Sequence, residues 1–168
     1  AFFKIIDITN PKSPVTVGTG TTTDATGITT VGFLRSIDVQ GSYAYITTQS
    51  GGLNIFDISN PTAPRQVGYL ASSGARYVVV QGKYAYVMNY SNSFGLVIDV
   101  SDPRNPFTVG TIDTGTNPFA VDIQGKYAYI PNVTSNMLQI VDISNPSAPA
   151  SVSSIPVQGI IQTSVQGR

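Results

Sequence analysis

One phrase governs what this chain can become. DITNPKSP (7–14), DISNPTAP (57–64), DVSDPRNP (99–106) and DISNPSAP (142–149) are four copies of a single pattern, Asp-[Ile/Val]-[Ser/Thr]-[Asn/Asp]-Pro-x-x-Pro. The repeated Asp falls at 7, 57, 99 and 142, with spacings of 50, 42 and 43 residues. A Gln-Gly pair recurs at 40–41, 81–82, 124–125 and 166–167, and Tyr-Ala-Tyr at 43–45, 84–86 and 127–129. Three independent markers therefore keep a period near 42 residues. It is broken once: Asp7 to Gly41 is 34 residues, against 25 or 26 in the other copies. A fixed period of this length is the mark of a repeat architecture.

The phrase has a physical reading. Its first proline (Pro11, Pro61, Pro103 or Pro146) lacks an N–H and fixes φ, so the strand before it must stop. The Asn or Asp ahead of it is extended and accepts a local backbone N–H. The repeated Asp7, Asp57, Asp99 and Asp142 are expected to satisfy backbone donors in that turn. A structural role suits a residue present once per repeat. Gly41, Gly82, Gly125 and Gly167 of the Gln-Gly pairs are expected to supply positive φ at a hairpin.

Each unit divides into four short strands. In the best-preserved copy RYVVVQ (76–81) turns at Gly82-Lys83 into YAYVM (84–88), a polar loop NYSNSFG (89–95) leads to LVIDVS (96–101), and DPRNP (102–106) leads to FTVGTI (107–112). No window holds a 3.6-residue apolar period, and short strands at regular spacing mean an all-β fold. Composition agrees. All nine acids are Asp, charged residues are 11%, and there are 16 Gly and 11 Pro, a palette of strands and tight turns. A four-stranded unit of about 42 residues is the size of one β-propeller blade. The paired tyrosines (43 and 45, 84 and 86, 127 and 129) alternate, share one face of the sheet, and are expected to pack between blades.

These segments resemble the LVIVD-repeat family, whose name describes the third strand: KIIDI (4–8), NIFDIS (54–59), LVIDVS (96–101) and QIVDIS (139–144). The flanks VQGKYAYV (80–87) and SNPTAPRQVG (59–68) match as well, and the resemblance spans essentially the whole chain. It implies a β-propeller of bacterial or archaeal type, often surface-associated or secreted, and no particular activity. Departures are the insertion within 19–35, Pro131 after Tyr-Ala-Tyr, and VSSIPVQG (152–159), which reads as a drifting terminal repeat.

Residues 1–34 are expected to hold the last two strands of one blade plus a long inserted loop. Segments 35–75, 76–118 and 119–160 then form one blade each, and 161–168 the first strand of another. That makes fifteen strands and a partial or open propeller, expected to be part of a larger ring. Open strand edges predict a protein partner or self-association.

Chemistry is sparse. With no His and no Cys, Ser-His-Asp and Cys-His devices are excluded, and neither catalytic residues, cofactor nor metal is expected. Net charge is zero without a basic run, so nucleic acid is not an expected partner, and no apolar stretch is long enough to span a bilayer. Low charge, no Cys and abundant Thr and Asn suit an extracellular or cell-surface location. Counting back from each Gln-Gly places Arg35, Arg76, Phe119 and Ile161 at the mouth of the central channel. The first two are candidates to grip a carboxylate or sulfate. Asp38 and Asp122 point toward the channel but belong to blades two apart, a poor metal pair. The loop DATGITTVG (24–32) is the longest departure from the repeat and the expected functional element, while Asn89-Tyr90-Ser91 and Asn132-Val133-Thr134 match the glycosylation sequon at loop positions. The expected function is a non-catalytic extracellular or cell-surface structural or interaction domain. The alternative is a ligand-binding or hydrolytic propeller using the channel face.

Overall fold

The computed structural model describes residues 2–23 and 33–166. The inserted loop 24–32 and Gly167 lie outside the described residues. Among the described residues every regular element is a β-strand. A two-stranded sheet, β1 (Phe2–Asp7) and β2 (Val15–Thr21), precedes three four-stranded sheets. Blade 1 holds β3 (Leu34–Gln40), β4 (Tyr43–Thr48), β5 (Gly52–Asp57) and β6 (Arg65–Ala71). Blade 2 holds β7 (Ala75–Gln81), β8 (Tyr84–Asn89), β9 (Phe94–Asp99) and β10 (Phe107–Asp113). Blade 3 holds β11 (Asp122–Gln124), β12 (Tyr127–Asn132), β13 (Met137–Asp142) and β14 (Ala150–Pro156). Every sheet is an antiparallel meander in chain order.

The expected fifteen strands are thus fourteen among the described residues. Segment 161–166 runs without a ladder. Its Val165 N–H is held by the Asp122 side chain rather than by a strand. Blade 3 also departs: its first strand is cut to three residues, although Pro118 still bridges Asn132 and the Phe119 N–H still reaches the Pro131 carbonyl at 3.0 Å. The hairpins behave as their glycines require, with φ of 60°, 62° and 60° at Gly41, Gly82 and Gly125.

No sheet has a core of its own; the cores lie between sheets. Tyr45, Leu53 and Ile55 of blade 1 pack on Val78, Ala85, Val87 and Ile98 of blade 2. Tyr86, Met88, Val97 and Ile112 of blade 2 pack on Val121, Ile130, Val141 and Ile143 of blade 3. Phe3 of β1 packs edge-on against Phe56 of blade 1, with ring centroids 4.8 Å apart. Burying each such large aliphatic side chain is worth roughly 1.5–3 kcal/mol, so neighbouring sheets hold each other. Inner strands adjoin inner strands (β3 with β7, β7 with β11) and outer adjoin outer (β2 with β6), the fan of a propeller.

The outer edge explains Val-Gly in the repeat. Val17, Val67, Val109 and Val152 are each the extra residue of a bulge in the outer strand. The glycine after it passes under the Pro turn of the next blade. A Cβ on Gly18, Gly68 or Gly110 would sit 1.9, 1.9 or 2.1 Å from the carbonyl oxygen of Pro61, Pro103 or Pro146. The fourth copy has Ser153, on the exposed strand β14, where no described turn lies across it. Gly68→Ala is expected to destabilise the chain by about 1–3 kcal/mol through this overlap. Ser153→Ala should stay within about 0.5 kcal/mol, both read from urea unfolding midpoints.

Candidate functional site

The inner strand of a blade is a sheet edge, and its outward N–H groups need acceptors. Side chains of the preceding blade supply them. One Asp38 carboxylate oxygen takes the Val39 N–H at 2.9 Å, and the other takes the Val80 N–H of blade 2 at 2.6 Å. Two residues on, Gln40 clamps the Gly82 peptide from both sides, accepting its N–H at 2.9 Å and donating to its carbonyl at 2.6 Å. Asp122 repeats the first device, binding the Ile123 N–H at 2.9 Å and the Val165 N–H at 2.5 Å. In blade 2 the matching position is Val79, and β7 and β11 barely touch, whereas β3 runs closely beside β7. The two carboxylates therefore work separately: Asp38 staples blade 1 to the inner strand of blade 2, and Asp122 ties blade 3 to segment 161–166. Among the described residues no group of three or more metal-ligating side chains comes together. The Gln40 clamp was not read from the sequence, where Gln-Gly signalled only a turn.

Arg35 and Arg76 do come together. Each is the extra residue of a bulge at the start of an inner strand: Leu34 pairs Thr48 and Ser36 pairs Thr47, just as Ala75 pairs Asn89 and Tyr77 pairs Met88. A bulge re-aims its side chain, and here both guanidinium groups line one cavity of about 230 Å³ with Gln49, Gly74, Ala75, Tyr90 and Ser91. Thr47 of blade 1 holds the bulge of blade 2 by donating its hydroxyl to the Arg76 carbonyl at 3.0 Å. The Arg76 guanidinium lies 3.8 Å from the Phe119 ring centroid and 4.8 Å from that of Tyr90, two rings packed edge to face. Arg35 donates to the Gln49 side-chain oxygen and lies over Phe33. Burial, and next the charge of Arg35, push the Arg76 pKa down from its ordinary value. Phe119 was placed at the repeat position of the arginines; that it forms a cradle with Tyr90 is visible only in three dimensions.

The turn carboxylates do a different job. Asp7, Asp57, Asp99 and Asp142 accept the N–H two residues on at 2.8, 2.9, 2.9 and 2.8 Å. Asn10, Asn60, Asp102 and Asn145 do the same one step later, closing the Pro turn. These bonds hold all four repeated Asp below the usual carboxylate range. Asp142 goes to about 2, through Ser144 first and then Lys126, whose ammonium is 3.2 Å away. The two sequon asparagines do not sit in loops, as expected, but end β8 and β12. Both are buried: the Asn89 amide donates to the Ser73 carbonyl at 2.5 Å, and that of Asn132 to Gln139 at 3.2 Å.

A stack of four-stranded meanders packed face to face about common inner strands defines the class of protein: a β-propeller, its ring not closed by the described sheets. The chain belongs to the LVIVD repeat family, whose model matches residues 2–22, 32–71, 73–114 and 119–156. No curated protein matches the sequence. Among solved structures the fold is similar to that of a Bacteroides uniformis protein provisionally named a 6-phosphogluconolactonase, at 21% identity and TM-score 0.76, covering 92% of this chain and 48% of that one. A functionally unknown protein of Desulfotomaculum acetoxidans is similar at 15% identity and TM-score 0.71, covering 91% of this chain and 49% of that one. The periplasmic gluconolactonase PpgL of Pseudomonas aeruginosa is similar at 19% identity and TM-score 0.68, covering 78% and 42%. The chain thus spans about half the length of these proteins or less. Among the described residues no helix is long and apolar enough to cross a membrane.

Two outcomes follow from this geometry. Asp38→Ala leaves the Val80 N–H without its acceptor and should cost about 1–3 kcal/mol in urea unfolding. In acid, the depressed Asp142 makes the native state bind fewer protons than the unfolded state. Its contribution is complete at neutral pH and disappears as pH falls from the ordinary carboxylate range, about 4, through about 2. Melting temperature measured against pH should fall across that window, and less steeply in Asp142→Asn.

Proposed function

We propose that this chain is a non-catalytic stretch of LVIVD propeller that serves as a structural or interaction domain at the cell surface or outside the cell. The observation that carries this reading is the commitment of its carboxylates. In a chain without Glu, His or Cys, Asp is the only carboxylate available for acid–base work. Of the described Asp residues, Asp7, Asp57, Asp99, Asp102 and Asp142 accept donors of their own turns. Asp38 joins blade 1 to blade 2, Asp122 joins blade 3 to segment 161–166, and Asp113 at the end of β10 stands apart from this set. The hydrogen bonds of Asp7, Asp57, Asp99, Asp102 and Asp142 favour their ionised forms and make these five weak bases. The low charge and absence of cysteine support the extracellular placement.

A partner role draws on the flank beside β1. There Phe3, Ile5, Ile37, Val39, Ala44 and Ile58 line an apolar groove of about 220 Å³, and Ile37 and Val39 are each 53% exposed. Among the described residues β1 pairs only with β2, so the groove runs along an open strand edge, a template for strand addition. Light scattering of the purified chain is expected to show concentration-dependent association or capture of a partner strand, weakened by Val39→Lys.

The second reading, a hydrolytic or ligand-binding propeller, is favoured by the shared arginine cavity and by two neighbours named as lactonases. The two readings separate in one assay. Glucono-1,5-lactone and its 6-phosphate should hydrolyse no faster with the protein than without it. Acceleration that is lost in Arg35→Gln would overturn the non-catalytic reading. Antibody labelling of intact cells of the native host, or of their medium, tests the location; signal confined to lysed cells would overturn it.

A further inference from the structure

We propose that Arg35 and Arg76 form a binding site for a small oxyanion, of the carboxylate or sulfate class, at the rim of the propeller axis between blades 1 and 2. This inference is independent of the partner role: a chain that captured no protein would still bind the anion. It rests on three observations that converge on one cavity.

The first is charge. Both guanidinium groups line the cavity of about 230 Å³, and among the described residues no carboxylate lines it. Like charges sharing a partly dry site repel, and an anion placed between them removes that repulsion while gaining two charge-assisted contacts. The turn acids cannot supply the missing charge. Asp57 and Asp99 lie at the far ends of β5 and β9, committed to Ser59 and Ser101.

Preorganisation is the second. Arg76 lies over the rings of Phe119 and Tyr90, and its Nε is buried without a hydrogen-bond acceptor among the described residues. Tyr90 is itself anchored, its carbonyl accepting the Asn117 side-chain amide at 2.9 Å. Arg35 is oriented by Gln49, whose carbonyl in turn accepts the Gly74 N–H at 2.9 Å across the blade boundary. Holding both planar forks before the ligand arrives lowers the ordering cost of binding.

Size and chemistry are the third. The cavity is smaller than the roughly 300 Å³ at which drug-sized sites begin, which selects a small acid. Gln49 and Ser91 offer neutral donors beside the two cations. The repeat itself supplies the geometry. The bulge that aims Arg35 recurs at Arg76, so adjacent blades present equivalent side chains to one point. At the third position Phe119 replaces the cation and backs Arg76 instead.

The test is calorimetric titration of the whole chain with sodium sulfate and with sodium glucuronate at constant ionic strength, with sodium chloride and neutral glucose as references. Saturable binding of sulfate, of glucuronate or of both is expected, and which arm binds assigns the source of the oxyanion. Arg35 is exposed, so Arg35→Gln should keep its circular dichroism and melting behaviour while weakening binding about tenfold or more. Arg76→Lys, which keeps the charge but loses the planar fork, should weaken it too. The melting temperature should rise with the bound anion in the wild type and not in Arg35→Gln. Absence of saturable binding by either anion, or binding equally tight in a folded Arg35→Gln protein, would overturn the site.

Discussion

The whole arrangement depends on the fit of one sheet against the next. Among the described residues the two large hydrophobic clusters lie between blades, and the third, Ala44, Ile46 and Phe56 of blade 1, is covered by Phe3 of the two-stranded sheet. A four-stranded meander has two faces and cannot dry either of them alone, so each copy of the repeat is stable only as a neighbour. The fit is made tight at the outer edge, where Gly18, Gly68 and Gly110 let the carbonyl of the following Pro turn approach to a distance that any Cβ would block. The Pro phrase thus does two things at once. It ends the third strand, and it presents a carbonyl to the strand of another blade.

At the inner edge the same problem is solved with side chains. Inner strands lie side by side without forming a common ladder, and their outward N–H groups are met by Asp38, Gln40 and Asp122. Outer glycines and inner carboxylates are therefore two ends of one interface. This is why the acids of the chain read as architecture, and why the arginines stand apart. Arg35 and Arg76 belong to the same periodic positions, yet among the described residues no carboxylate shares their cavity.

Much of this was legible from the sequence. The period, the strand order within a blade, the Pro turns and the positive φ of Gly41, Gly82 and Gly125 are local matters, settled within a few residues. Identical sequence did not mean identical environment. Tyr45 and Tyr86 are buried at 2% and 3% exposure because a following blade covers them, while Tyr129 of the same motif stays half-buried. Asn89 looked like a loop asparagine because its flanks are polar, but the ladder extends through it and its amide is needed inside. The Ile161 segment matched an inner strand in sequence, but its described residues form no ladder, and its Val165 N–H meets the Asp122 side chain instead of a strand.

The candidate site shows the same division. Position in the repeat was enough to put Arg35, Arg76 and Phe119 at one level of the axis. The bulges that turn the two guanidinium groups into one cavity, and the Tyr90–Phe119 cradle, arise between blades and leave no local signature. Asp38 was expected to face the channel; its carboxylate meets the Val80 N–H, 42 residues away on another sheet. The chain's own letters determined that it would be a series of four-stranded blades, because turns and alternation act over a few bonds. Which letters became core, staple or open cavity was decided only when one blade met the next, since burial and charge compensation are properties of the interface and not of the repeat.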